Sequence, residues 1–373
     1  MATNISLFDY DLPEQFIAQS SVEPRDHSKL MIVDRATGDT EHKHFYDIVD
    51  ELKAGDVLVF NTSKVFKARL HAVVQGGSLI PPPYEGGDQG EVESAGNPAP
   101  AVRVVELFVL RVRDGEIEAL VKPGRKYPKG SVIEIAGHGF TVNEKHEDGV
   151  CVLGTKMTAV EMLAFCDANG DIPTPPYVEG SLKDESKYQT IYAKQVGSVA
   201  APTAGFHFTP ELLEKIKAKD VQIEEVVLHV GIGTFRPVQA ETLEEHEMHS
   251  EWVSLSSDTA NRINTAKREG RRIIAVGTTT TRVLEGIAAT RGVGVDLGVD
   301  PLQGYEGEIN IFITPGFKFR VIDALITNFH LPKSTLLVLV SAFAGRESML
   351  AAYESAKANS YRFFSFGDAM FIR

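Results

Sequence analysis

The hydrophobic period changes twice along the chain. Through the first sixty residues, "KLMIVDRATGDTEHKHF" alternates and turns at Thr37-Gly38-Asp39, which predicts a hairpin, while "YDIVDELKAGD" has helical spacing and a Gly55 stop. "VLVFN", Val57 to Asn61, predicts a short buried strand. From about Lys64 to Val150 the pattern becomes short alternating runs such as "VFKARLHAVV", "VRVVELFVLRV", "EIEALVKPG" and "SVIEIAG", broken by turn residues. That rhythm predicts a small antiparallel barrel or sandwich. Within it, residues 76–101 are rich in Gly, Pro and Glu and poor in apolar residues, which predicts a loose loop insertion. After Cys151 helices and strands alternate. "TAVEMLAFCDANG" is a helix with a Gly170 stop, and "TPELLEKIKAKD" is a helix with Thr209 as cap and Pro210 at its first position. "VQIEEVVLHV" is a strand, "SSDTANRINTAKREG" a helix, and "RRIIAVGTTTTRVLEGIAAT" a strand, loop and helix. "EINIFI" and "VIDALITNF" are strands, and one closing helix runs through "STLLVLVSAFAGRESMLAAYESAKANS".

Composition narrows the class little. The 373 residues are 43% hydrophobic and 24% charged, ordinary for a globular protein, and the length suits two or three domains. The longest apolar stretch, Thr335 to Ala344, is about half of the ~20 residues that a membrane span needs. The start has neither a basic nor an apolar leader segment, so a cytoplasmic protein without a membrane partner is expected. Two cysteines, Cys151 and Cys166, fit no zinc or redox spacing. The net charge of -13 argues against a protein that binds nucleic acid over its whole surface but leaves room for a local basic patch.

Candidate chemistry gathers in five polar clusters, each at a strand end or a helix start, where α/β folds bind ligands. "APTAGFHFTP" holds Thr203, Gly205 and His207 before a helix whose N-terminus suits an anion; a plainly capped helix is the other reading. "LHVGIGTFRPV" offers His229, Gly231, Gly233, Thr234 and Arg236, but lacks the third glycine of a dinucleotide fingerprint, and a tight turn is the alternative. "EEHEMHSEW" places His246 and His249 three apart, not the four that a helical zinc pair requires, so no metal is expected; His249 and Glu251 are acid/base candidates, or else a solvated charged turn. "IIAVGTTTTRVLE" puts Thr278, Thr279, Thr280 and Thr281 at a helix start, and Arg282 follows; propensity does not explain four threonines, so a ligand role is preferred. "TNFHLPKST" carries Asn328, His330, Lys333 and Thr335. Lys333-Ser334 looks like a phosphate-binding loop, yet both glycines of that motif are missing and Pro332 has no N–H to donate.

Taken together, "LFDYDLPEQFIAQSSVEPRDHSKLMIVDR", "LVFNTSKVFKARL", "YQTIYAK", "GSVAAPTAGFHFT", "LHVGIGTFRPV", "EEHEMHSEW", "IAVGTTTTRVLE", "DALITNFHLPKSTLLVLVSAFAGRE" and "YRFFSFGDAMFI" resemble the S-adenosylmethionine:tRNA ribosyltransferase-isomerases of queuosine biosynthesis. The resemblance covers nearly the whole chain in order, apart from residues 76–101. It implies a mixed α/β fold: a larger substrate-binding α/β domain, residues 1–63 and 151–373, with a smaller antiparallel β-barrel domain, residues 64–150, inserted. It also implies a transferase that moves and isomerises the ribosyl part of S-adenosylmethionine onto 7-aminomethyl-7-deazaguanine at the wobble position of tRNA. Epoxyqueuosine forms, adenine and methionine leave, and S-adenosylmethionine is a co-substrate, so no cofactor is expected.

In this light His229, His249, Glu251 and His207 are the expected acid/base group, with base and acid unassigned. Thr203, Gly205, Gly231, Gly233, Thr234, Arg236, Thr278, Thr279, Thr280, Arg282, Asn328, His330, Lys333 and Thr335 are expected to bind substrate. Lys64, Lys67, Arg69, Lys122, Arg125 and Lys126 are the expected tRNA patch, with a solvated basic face as the alternative. A monomer is expected. Two positions depart from the family pattern, Thr62 and Asn310 each standing where it has aspartate. The alternatives are a ribosyl transferase acting on a free small molecule and a catalytically weakened tRNA-binding relative.

Overall fold

The computed structural model describes residues 2–74, 103–175, 177–178, 184–231, 240–290 and 301–373. The chain forms two compact units, Met1–Val65 with Thr174–Arg373, and Phe66–Pro173.

The larger unit is built on a nine-stranded mixed sheet. Its order is Tyr305–Ile309, Glu251–Leu255, Gln222–Leu228, Val57–Asn61, Ile273–Val276, Ala324–Asn328, Ala369–Ile372, Lys29–Val33 and Thr40–His44. The four consecutive strands from Gln222–Leu228 to Ala324–Asn328 run parallel. Parallel strands are covered on both faces, which is why "VLVFN", "IIAV" and "ALITN" read as unbroken runs and are buried throughout. Alternate side chains feed two cores. Val57, Val59, Ile273, Ala275 and Leu325 join the face covered by Ser257–Arg268, Thr278–Thr290, Thr335–Ala344 and Arg346–Ala358. Leu58, Phe60, Ile274, Val276 and Ile326 join Phe45, Ile48, Phe208 and the apolar side of Pro210–Ala218.

Cap chemistry sets the helix starts. Thr209, Ser256 and Ser334 each accept a hydrogen bond from the backbone N–H three residues on, and Pro210 takes the first position of its helix.

Several elements differ from the expectation. The closing helix is two helices, Thr335–Ala344 and Arg346–Ala358, bent by 113° where Gly345 takes φ +88°, a conformation open to glycine and costly to other residues. Among the described residues no single helix is long and apolar enough to cross a membrane. The "EINIFI" strand lies earlier, at Tyr305–Ile309, where all five residues pair with Glu251–Leu255. No loop separates strand from helix in "IIAVGTTTT": Gly277 at φ +91° makes the turn alone, and the threonines begin the helix. The helix expected in "YDIVDELKAGD" shrinks to a 3-10 turn, Phe45–Asp47, and one helical turn, Ile48–Glu51.

The smaller unit is a seven-stranded antiparallel sheet, ordered Gly170–Asp171, Arg69–Val74, Arg103–Arg113, Glu116–Lys122, Val150–Gly154, His138–Lys145 and Val132–Ile135. Burial alternates along Glu116–Lys122 as a one-sided core requires. The sheet curls so that Val132–Ile135 approaches Arg69–Val74, but the two strands are not hydrogen-bonded neighbours. It is therefore a curled half-barrel and not a closed barrel. The unit also extends past Val150. Val150–Gly154 pairs on both sides within this sheet, and the helix Ala159–Asn169 packs Met162, Phe165 and Cys166 onto it. Residues 76–101, the expected insertion, lie outside the described residues.

Candidate active site

The four parallel strands end at one edge of the sheet, and a cleft in the larger unit opens there. After Gln222–Leu228 comes Val230, after Ile273–Val276 come Gly277, Thr278 and Thr279, and after Ala324–Asn328 come Phe329, His330 and Leu331; all line the cleft. Ala200 to Ala204, Ser334, Tyr177 and Phe364 complete it. Its empty volume is about 720 Å³, open solvent at the mouth included. The helix Thr278–Thr290 points its N-terminus at this space, so the wall carries the partial positive charge of free backbone N–H groups.

One buried chain of hydrogen bonds fixes the far wall. Asn328 donates from Nδ2 to the Phe364 carbonyl at 3.0 Å, which settles the orientation of its amide. The same nitrogen reaches His207 Nε2 at 3.2 Å, so Nε2 accepts and Nδ1 carries the hydrogen, donated to Ser28 Oγ at 2.7 Å. Asn328 Oδ1 then accepts from Thr203 Oγ1 at 3.4 Å on the cleft side. Burial, with the charges of Arg362 and Arg25 adding to it, holds His207 neutral, its pKa lowered to about 3. His207 was expected to exchange protons, but its ring is stacked on Phe45 with both nitrogens engaged. In this arrangement it is hydrogen-bonded to Asn328 on one side and Ser28 on the other. His330 is likewise held neutral by burial, with a pKa of about 3, and its Nε2 lies 2.9 Å from Thr327 Oγ1.

The threonine run divides by role. Thr278 and Thr279 line the cleft, and Asn61 Nδ2 reaches Thr279 Oγ1 at 3.4 Å. Thr280 and Thr281 instead donate to the carbonyls of Val276 and Gly277, four residues back, at 2.7 and 3.3 Å. That back-bonding is a structural reason for hydroxyls there, and Thr280, expected to bind substrate, does not line the cleft. Two turns along the helix, Glu285 is wholly buried and accepts the backbone N–H groups of Arg320, Val321 and Ile322 at 2.9 to 3.0 Å; burial raises its pKa.

The expected acid/base group does not converge on the cleft. His229 follows the strand that leads to Val230, half-buried and stacked on Trp252 at 4.9 Å. His249 is exposed. Glu251 is buried, its Oε2 paired with Arg282 Nη1 and its Oε1 accepting from Gly231 N–H at 3.2 Å. Gly205 does make a close approach, but to Tyr192: a Cβ would lie 1.8 Å from that hydroxyl oxygen. Lys333 points away, ion-paired with Asp9 at 2.7 Å, and it is Ser334 and Leu336, not Thr335, that line the cleft. Gly233, Thr234 and Arg236 lie outside the described residues. Sequence reasoning missed Ser28 and Asn61; a polar residue ending the apolar run of residues 57–60 was the available signal for Asn61, and Ser28, in a polar stretch, carried none.

The basic residues behave unevenly. Lys64 is exposed on the larger unit. On the smaller unit Arg125 and Lys126 are exposed in a 3-10 turn, while Arg69 and Lys122 both pair with Glu106 at 3.7 Å, and Lys67 is half-buried. Among the described residues no group of three or more His, Cys, Asp or Glu is placed to hold a metal ion.

A small-molecule cleft at the carboxyl ends of parallel strands, backed by a helix N-terminus and a fixed amide, defines an α/β protein of the nucleotide- or nucleoside-handling kind. The chain belongs to the queuosine biosynthesis protein family, whose pattern matches residues 5–372. It is similar to the S-adenosylmethionine tRNA ribosyltransferase of Thermotoga maritima. The two are 36% identical over 98% of this chain and 100% of that one, with a TM-score of 0.53.

Proposed function

We propose that the protein transfers the ribosyl part of S-adenosylmethionine to 7-aminomethyl-7-deazaguanine in tRNA and isomerises it, giving epoxyqueuosine with loss of adenine and methionine. The carrying observation is that, in a chain matched to the family over residues 5–372, three of the strand-end motifs line one cleft through Thr203, Thr278, Thr279, Asn328 and His330. The apolar and aromatic part of the wall, Phe329, Leu331, Leu336, Phe364 and Tyr177, suits a base, while the hydroxyls of Thr203, Thr278 and Thr279 and the Asn328 amide suit ribose oxygens.

The reaction needs a base for the proton beside the sulfonium, which the positive sulfur acidifies, and an acid for departing adenine. His207 and His330, with pKa values near 3, do not serve as bases at neutral pH. We assign proton transfer to His229, which follows the strand that leads to the lining residue Val230 but does not itself line the cleft. On the smaller unit Arg125 and Lys126 are exposed cations proposed to meet tRNA, and on the larger unit Lys64 is one. The protein works as a cytoplasmic monomer without a metal.

The test is adenine release. Purified protein is mixed with S-adenosylmethionine and tRNA carrying 7-aminomethyl-7-deazaguanine; adenine is followed by chromatography and the tRNA nucleosides by mass. Release that requires that tRNA, with the epoxyqueuosine mass, supports the reading. Release with the free base alone points to a small-molecule transferase. Tight binding of both ligands without release points to a weakened relative.

A further inference from the structure

Arg282 is buried at 7% exposure, and its guanidinium is only half used. Nη1 is paired with Glu251, while Nε and Nη2 have no hydrogen-bond partner among the described residues. Those two nitrogens form the side-on edge of the guanidinium, whose parallel N–H groups match the two oxygens of one carboxylate. A buried donor left without a partner is costly, and two on one side chain mark a place for an acceptor that the described residues do not supply.

The position suits a ligand group at the cleft. Arg282 stands four residues after Thr278 and three after Thr279, on the same helix face as these two lining residues. Its side chain leans toward the N-terminus of that helix, where backbone N–H groups add positive potential. Glu251 holds the guanidinium through Nη1 and is itself fixed by Gly231 N–H at 3.2 Å, next to the lining residue Val230. The pair is therefore neutral overall and presents an oriented fork rather than a free cation. A fork this buried admits a small terminal anion and not the bulk of an RNA backbone.

We propose that Arg282 is the clamp for the carboxylate at the amino-acid end of S-adenosylmethionine, with Glu251 as the residue that orients it. This rests on the transfer reaction proposed above. It gives Glu251 a positioning role in place of an acid/base one.

Calorimetry with S-adenosylmethionine and with its decarboxylated analogue tests the clamp in the wild type, in Arg282→Lys and in Glu251→Gln/Arg282→Met. The double variant removes the fork without stranding a buried carboxylate, and a thermal melt reports its folding. Wild type is expected to prefer the carboxylate-bearing ligand by about ten- to a hundred-fold, the worth of a charge-assisted pair. Both variants are expected to bring that preference close to one while binding the analogue as wild type does. A preference that survives in the folded double variant overturns the clamp and leaves the proposed reaction standing. Lost tRNA affinity with the preference intact overturns it in favour of a phosphate contact. A wild type that binds neither ligand overturns the proposed reaction and the clamp together.

Discussion

Two neutral histidines buried beside the cleft make stability depend on pH in a defined window. His207 and His330 titrate near 6.5 in an unfolded chain and near 3 in the folded one. Between these values the unfolded state binds one more proton per histidine, so stability rises with pH and is lost on acidification. The stabilisation is complete above about pH 6.5 and drains away as the pH falls toward 3. From pH 7 to pH 5 each histidine costs about 2 kcal/mol, and the two together about 4 kcal/mol. That is a large share of the ~5–15 kcal/mol that holds a domain together. Urea unfolding at pH 7, 6 and 5 measures it in the wild type, His207→Gln and His330→Gln. Each variant is expected to lose about 2 kcal/mol of the fall between pH 7 and 5, even if its stability at pH 7 is lower. The slope, not the absolute value, is diagnostic. Variants that keep the wild-type slope would refute the neutral, buried assignment and return His207 to the list of bases.

Other positions give sharper single readings. Gly205→Ala places a methyl 1.8 Å from the Tyr192 hydroxyl oxygen, so a fall in stability of about 1–3 kcal/mol is expected in a thermal melt. Glu285→Ala orphans two buried N–H groups and a third that is part-buried, and is expected to cost at least ~2 kcal/mol by denaturant titration. Thr279→Val removes a cleft hydroxyl while keeping the shape; S-adenosylmethionine affinity should fall several-fold with stability changed by about 1 kcal/mol or less. Thr62→Asp puts a carboxylate where a buried hydroxyl donates to the Val226 carbonyl at 3.3 Å, so it should destabilise by about 1–3 kcal/mol without raising the rate of adenine release; a faster variant would mean that the family's aspartate acts in chemistry.

The elements that the sequence made legible are those with one dominant local cause. "VLVFN", "IIAV" and "ALITN" read as buried parallel strands because nothing polar interrupts them, and Thr209-Pro210 announces its helix by cap chemistry. The break at Gly345 was harder, since "STLLVLVSAFAGRES" stays apolar and helical in period across a residue whose φ only the packed fold reveals. Thr203, Thr278, Thr279, Asn328 and His330 were placed at strand ends and helix starts by sequence, and the structure brings these five to one cleft. Which of their neighbours face it was not legible. His207 and Thr280 look equally chemical in sequence, but one is consumed by Ser28 and Asn328 and the other by the Val276 carbonyl. Exposure failed the same way: His249 and Glu251 are two residues apart, yet strand formation at Glu251 buries one and leaves the other in solvent.

The Glu285 carboxylate, gripping three successive amides of residues 320–322, has a mechanical consequence. Thr278 and Glu285 sit seven residues apart, two helical turns on one face, so one end of this helix touches the ligand space while its middle is bolted to the scaffold. Such a helix neither slides nor rotates without breaking all three bonds at once. The wall that carries Thr278, Thr279 and Arg282 is thus a fixed anvil, already shaped before substrate arrives, with little ordering left to do on binding. Any closure over the ligand must come from the opposite walls, and pressure applied there is met by a surface that does not give.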